Sequence, residues 1–242
     1  MSDLIQTVSR ALNADAQVRQ DLRIAALEEE SDGAIVIEGV ARSLAAKKRT
    51  LAIAARAGAH AIADRIRIDP GVAATDAEIR QALAERFAAE PAFADLAVFE
   101  DLDPSPLAER LLPVASPAAP AGRIEIEVRD GVVTLSGQTP TLVRKRLAGT
   151  MAWWTVGVRD VINGLGVEPP EDDSADQLEE AVRTALERDP FLDDRQIRVG
   201  VRDGVVRLTG LLRTDDARRL AERDAWSVLG VEDVIDEIDV VA

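Results

Sequence analysis

Side chains able to do covalent chemistry are scarce in this chain. His60 is the only histidine among 242 residues, and there is no cysteine. A two-histidine metal site, a thiolate ligand, a thiol nucleophile and a disulfide are therefore excluded within the chain. No serine stands in a nucleophile motif. His60 lies between Gly58 and Ile62, just past a helix, and reads as a helix-end histidine or as a lone ligand or base. Gly131, Gly137, Gly204 and Gly210 recur as Gly-x5-Gly, but inside hairpins. A phosphate loop needs a strand–loop–helix setting and a following Lys-Ser/Thr, so turn and strand-end roles account for these glycines. The expectation is a non-enzymatic protein with no metal site and no cofactor.

The residues with a recurring, non-covalent chemistry are tryptophans and basic side chains. Trp153 and Trp226 fall at one place in two similar stretches, and Trp154 is added in one of them. They read either as packing beside a helix–sheet core or as interfacial anchors for lipid or a partner. Trp154, with no counterpart, is the one expected to be exposed. The same helices carry Lys47, Lys48 and Arg49, then Arg144, Lys145 and Arg146, then Arg218, Arg219 and Arg223; Lys47, Lys48 and Lys145 are the only lysines. A solvated face is one reading. The other is a docking surface for anionic phospholipid headgroups or an acidic partner, at about 1 kcal/mol per charge near an anionic membrane.

The elements that must position these residues repeat. Ile124 to Gly137 and Ile197 to Gly210 each read as two strands folded at Asp-Gly (Asp130-Gly131, Asp203-Gly204), a dipeptide suited to a tight hairpin turn. A fainter copy surrounds Asp32-Gly33. Roughly half the positions from Ile124 to Val167 are identical to Ile197 to Val240 without a gap, the signature of duplicated units. The spacing predicts three α-β-β-α-β modules: 1–70, 75–168 and 174–242. Each is expected to be a three-stranded sheet covered on one face by two helices, an α+β fold. Ser2 or Asp3, Ser43, Thr75, Thr141, Ser174 and Thr214 are the predicted helix starts. Leu4, Val8 and Leu12 are the predicted apolar stripe of the first helix, Ile79, Leu83 and Phe87 that of the second module, and Leu178, Val182 and Leu186 that of the third. Aligning Pro91 with Pro190 and Asp130 with Asp203 gives offsets of 99 and 73, so the second module holds a 26-residue insertion at about 98–123 with five of the eleven prolines. It reads as a tolerated surface loop, with a functional lid as the alternative, a flexible Pro/Ala-rich end and one helical turn at Leu107 to Leu112.

Net charge is −15. Such a surface repels nucleic acid, and no recognition motif offsets it. No apolar stretch is long enough to span a bilayer. The first residues lack a basic segment followed by an apolar run; the expected location is cytoplasmic, or periplasmic if a leader has been removed. Oligomeric state is open.

The pattern Ile197-x-Val-x-Val-x-Asp-Gly-Val-Val-x-Leu-x-Gly210, Ala221-x-x-x-Ala225-Trp, Gly230-Val-x-x-Val234 closely resembles the BON domain (bacterial OsmY and nodulation). The second module matches through Ile124 to Gly137, Ala148, Ala152-Trp-Trp and Gly157 to Asn163; the first keeps Asp32-Gly33, Gly39, Gly58 and Ile62. The resemblance implies a non-enzymatic binding protein. Many such proteins are envelope proteins linked to osmotic stress and phospholipid contact, and a cytoplasmic relative with a LysM domain senses potassium. The function expected is contact with a phospholipid surface or an envelope or stress-related assembly. The alternatives are potassium or ion sensing, and protein–protein adaptation with neither ligand.

Overall fold

The computed structural model describes residues 2–30, 33–102 and 111–241; of Leu111 and Leu112 only the backbone is described. The chain forms two compact units, Met1–Pro70 and Gly71–Ala242.

The first unit runs α1 (Asp3–Ala14), α2 (Ala16–Asp21), β1 (Leu22–Glu29), β2 (Ile35–Ala41), α3 (Leu44–Arg56) and β3 (Ile62–Ile68). Ser2 caps α1 by accepting from the Ile5 amide, and Ser43 caps α3 from the Ala46 amide. The buried stripe of α1 is Ile5, Val8 and Leu12, with Leu4 only half-buried. The short helix α2 was not legible in the sequence. Its origin is Asp15, whose carboxylate accepts from the Gln17 and Val18 amides and pairs with Arg49 at 3.0 Å. The Val18 amide first, with Arg49 adding, holds the Asp15 carboxyl below the usual carboxylate range. β1 and β2 are antiparallel, and β3 lies parallel to β2, with Ile35 opposite Ile62.

In the second unit the first sheet is larger than the predicted three strands. It follows α4 (Asp76–Ala89) and contains β4 (Leu96–Asp101), β5 (Leu111–Ala115), β6 (Gly122–Arg129), β7 (Val132–Thr139), β8 (Asp160–Asn163) and β9 (Gly166–Val167), with α5 (Leu142–Trp153) between β7 and β8. The order is β5-β4-β6-β7-β8, β9 also pairing with β7. Within the insertion, residues 98–101 and 111–115 are strand and not loop. β4 lies parallel to β6 and antiparallel to β5. Val98 and Leu96 add to the core, Arg80 of α4 holds Glu100 at 3.2 Å, and Arg123 lies 4.3 Å over the Phe99 ring. Of the helical turn expected at Leu107 to Leu112, residues 107–110 lie outside the described residues, and Leu111 and Leu112 are strand. Thr75 and Glu78 form a reciprocal capping box at α4. Ile79, Leu83 and Phe87 are buried, the last packing edge-on to Phe93 at 5.2 Å.

The chain then runs α6 (Ala175–Arg188), β10 (Ile197–Arg202), β11 (Val205–Leu212), α7 (Asp215–Ser227) and β12 (Asp233–Val240). Here the sheet has three strands, β10 antiparallel and β12 parallel to β11. Leu178, Val182 and Leu186 are buried as their spacing requires.

Both Asp-Gly turns have positive φ at both residues: 51° and 73° at Asp130-Gly131, 50° and 75° at Asp203-Gly204. Those are the angles of a type I′ turn, whose twist matches the flanking strands. The glycine that ends each hairpin motif has a different reason. A Cβ on Gly39, Gly137 or Gly210 would overlap the backbone carbonyl oxygen of Arg23 or Arg123 on the paired strand, or of Gln196 immediately before it. Gly137 and Gly210 also have φ of 112° and 144°. By contrast, a Cβ on Gly200 meets nothing. Gly39→Ala, Gly137→Ala and Gly210→Ala are each expected to destabilise their unit by about 2 kcal/mol or more, while Gly200→Ala should stay within about 0.5 kcal/mol of wild type. Urea denaturation of the four variants measures this; equal midpoints would refute the steric assignment.

Candidate functional site

Helix α5 is the centre of the second unit. Its own sheet lies on one side, and α6 and α7 pack on the other. Residues Arg146, Leu147, Ala148, Gly149, Thr150, Met151 and Ala152 are consecutively buried. A helix with one wet face buries only every third or fourth residue, so this run requires cover all round. Arg146, 1% exposed, meets that cover with its charge. Its Nε donates to the Leu229 carbonyl at 2.8 Å, and its Nη2 pairs with Asp173 at 2.6 Å. Removing one partner of such a buried charge typically costs about 3–5 kcal/mol.

The ends of α4, α5 and α6 and the middle of α7 line a cleft of about 520 Å³. Two acids sit at its base, each just before a proline. Glu90 accepts from the Ala92 amide and pairs with Arg188 at 3.1 Å. Asp189 accepts from the Phe191 amide and pairs with Arg223 at 3.3 Å. A third acid, Asp224, is 0% exposed. Its Oδ1 accepts from the Trp154 indole N–H at 2.8 Å and from Arg223 at 2.9 Å, while its Oδ2 is buried and accepts no hydrogen bond. Burial pushes the Asp224 carboxyl up to about 7; Arg223 opposes the rise and the neighbouring Asp189 carboxyl adds to it. Across the same cleft, Arg86 has one hydrogen bond, to the Met151 carbonyl at 3.4 Å, and no carboxylate at salt-bridge distance. Burial lowers its pKa, with the Asp189 charge opposing.

These contacts place the predicted site residues. Trp154 is not an exposed anchor: it is half-buried because its indole N–H satisfies Asp224 from the other matched segment. Trp226 is buried, and Trp153 packs half-buried against the core. Arg144 holds Asp95 through two bonds of 2.9 and 3.1 Å. Lys145 is half-buried, and its carbonyl accepts from Asn163. Arg218 holds Asp236 at 2.7 Å, and Arg223 holds Asp224 and Asp189. Arg219, at 76% exposure, stands in solvent. In the first unit, Lys47 is buried on Asp64 and the Ile66 carbonyl, at 2.9 and 2.8 Å. Lys48 is half-buried, and desolvation pulls its ammonium down to about 8. Arg49 holds Asp15. His60 is exposed in a bend after α3. Among the described residues, no group of three or more histidine or acidic side chains is disposed to hold a metal ion, and no helix is long and apolar enough to cross a membrane.

Sequence reasoning missed Asp224, Asp189, Arg86 and Phe191. A signal for the first was present. At the repeat offset of 73, Met151 corresponds to Asp224 and Trp154 to Ser227. The two segments differ at the positions where they meet, tryptophan on one side and acid on the other.

Asp224 yields a pH test. Its pKa is raised in the folded state, so the folded protein binds the extra proton between about 4 and 7. The associated stability is therefore full below about 4 and lost as pH rises through about 7. At about 1.4 kcal/mol per unit this amounts to ~4 kcal/mol. Asp224→Asn keeps an acceptor for Trp154 and a donor for Asp189 but cannot titrate. Urea unfolding followed by tryptophan fluorescence reports this unit alone, since Trp153, Trp154 and Trp226 all lie in it. The wild-type stability measured against the variant should fall across that window; parallel pH profiles would refute the assignment.

The geometry can be set beside known proteins. A search of curated proteins found no match. Two solved structures of CdsD, a structural protein of the type III secretion system of Chlamydia trachomatis, are similar at 14% identity. One, its C-terminal domain, covers 100% of this chain and 99% of its own with a TM-score of 0.26; the other covers 99% and 93% with 0.25. Scores this low say nothing about how the parts are arranged. The sequence profile of the BON domain matches residues 110–169 and 174–242, more than half of the chain. This chain belongs to the BON domain family.

Proposed function

We propose that the protein is a non-enzymatic scaffold, working by binding within a membrane- or envelope-associated assembly, and that its partner there is a protein. The family supports the coarser half of this reading, since BON domains occur in membrane- and envelope-associated proteins. The choice of a protein partner rests on one observation. The cationic and indole groups that would meet a lipid surface are largely engaged inside the second unit: Arg146 on Leu229 and Asp173, Arg144 on Asp95, Arg223 on Asp189 and Asp224, Trp154 on Asp224. Arg146 is itself buried and Arg223 is held by two buried carboxylates, so each would have to leave that setting before it could meet a headgroup, which offsets the gain of roughly 1 kcal/mol that each free charge provides.

We also read the unit Met1–Pro70 as a divergent third copy. Its sheet has the antiparallel-then-parallel pattern of β10-β11-β12. Gly39 meets the same steric demand as Gly137 and Gly210, and Gly58, Gly157 and Gly230 have positive φ of 106°, 91° and 96° after α3, α5 and α7.

Co-sedimentation with neutral and with anionic phospholipid vesicles tests the choice of partner. The protein is expected to stay in the supernatant in both, and a photo-crosslinking residue at position 191 should give one discrete protein adduct in cells while the same residue at position 219 should not. Selective pelleting with anionic vesicles, abolished by Arg219→Ala, would overturn the reading.

A further inference from the structure

The cleft lined by α4 to α7 has an unbalanced ion-pair inventory. Its acids are already engaged: Glu90 by Arg188 and the Ala92 amide, Asp189 by Arg223 and the Phe191 amide. Its arginines are not saturated. Arg188 uses Nε and Nη1, leaving Nη2; Arg223 uses Nε and Nη2, leaving Nη1; Arg86 uses only Nη1, and weakly. Pairing Arg188 with Glu90 and Arg223 with Asp189 leaves Arg86 as the one arginine of the lining with no carboxylate at salt-bridge distance among the described residues. Arg86 is exposed and makes only the long bond to the Met151 carbonyl, so of the arginines in the cleft it is the one available to an incoming anion without first breaking an ion pair.

Between these charges the lining is apolar, and includes Met151, Leu220 and Trp154. At the lip stands Phe191, 79% exposed. It is one of four phenylalanines in the chain; Phe87 and Phe93 are fully buried and Phe99 is covered by Arg123. An aromatic ring and an arginine at the edge of a concave surface are the residue types that dominate binding energy in protein interfaces. The cleft volume falls within the range of ligand sites and admits a short run of side chains.

We propose that this cleft is a docking site for a peptide segment of a partner protein in which a carboxylate is flanked by apolar side chains, the carboxylate meeting Arg86 and the apolar groups packing on Phe191, Leu220 and Trp154. The inference rests on the scaffold reading above, in that it takes the partner to be a protein. Charge complementarity decides the occupant: the two acids of the lining already hold Arg188 and Arg223, so a basic segment would add a like charge beside Arg86, whereas a carboxylate would supply the ion pair that Arg86 lacks.

The test uses the full chain and a pooled library of fluorescent hexapeptides with a fixed Asp between two apolar positions, matched by libraries with Asn or Lys in place of the Asp. The Asp library is expected to bind about tenfold more tightly than the Asn library, with the Lys library weaker still, and binding should perturb Trp154 fluorescence. Arg86→Ala and Phe191→Ser should each weaken it about tenfold, while Arg219→Ala leaves it unchanged. Both variants should keep the wild-type unfolding midpoint, because Arg86 makes one long hydrogen bond and Phe191 is exposed. If the Asp and Asn libraries bind alike, or the two cleft variants bind like wild type, the docking site is refuted and the scaffold reading stands. If no library binds and anionic vesicles do, both fall.

Discussion

Helix α5 is covered by its own sheet on one side and by α6 and α7 on the other, so every charge on it must be neutralised within the protein. Arg146 shows the consequence. A guanidinium at the middle of a buried helix is tolerable only where fixed acceptors wait for it. The acceptors here are the Leu229 carbonyl, at the turn after α7, and Asp173, in the segment before α6. One side chain thus ties the first family-matched segment to the second at Leu229 and to the linker between them at Asp173. A Cβ on Gly230 would come within 3.0 Å of the same guanidinium, so the turn that receives Arg146 is also constrained by it.

The cleft follows from the same arrangement. α5 meets α6 and α7, while the end of α4 and the middle of α7 line the gap that remains. Acids before Pro91 and Pro190 end α4 and α6, where each carboxylate caps a turn and is buried in doing so. Those local duties bring Glu90 and Asp189 to one place, and the arginines gather to balance them. Asp224 is the member that local structure does not require. It stands where the preceding segment has Met151, and its unsatisfied Oδ2 is the clearest departure from the rule that buried polar atoms find partners. A proton on that oxygen, given to Asp189, removes the departure.

Local features were legible in the sequence because local chemistry determines them. The Asp-Gly turns, the serine and threonine caps, the apolar stripes of α4 and α6 and the strand Ile62–Ile68 follow from residues a few positions apart. β4 and β5 were not legible, because the proline-rich stretch between Asp101 and Gly122 masks two strands whose pairing depends on the free edge of β6. The cleft was not legible either. Arg86, Phe191 and Asp224 are separated by tens of residues, and nothing in their own neighbourhoods marks them as convergent. The basic residues of α5 were conspicuous in the sequence, yet charge on a helix does not reveal whether the helix is surface or interior.

Arg146 and Arg219 make that last point in one pair. They occupy the same position at the repeat offset of 73, in helices with the same cap and the same following glycine turn. Arg146 is buried on a carbonyl and a carboxylate; Arg219 is 76% exposed, with Asp216 at 3.6 Å. The difference comes from what stands next in the chain. Leu229 and Asp173, both later in the chain than α5, reach Arg146, whereas among the described residues Arg219 meets only Asp216. An identical residue in a duplicated motif thus acts as a structural tie in one copy and a solvated charge in the other. Function carried by a repeat position must therefore be assigned copy by copy, from what covers that position.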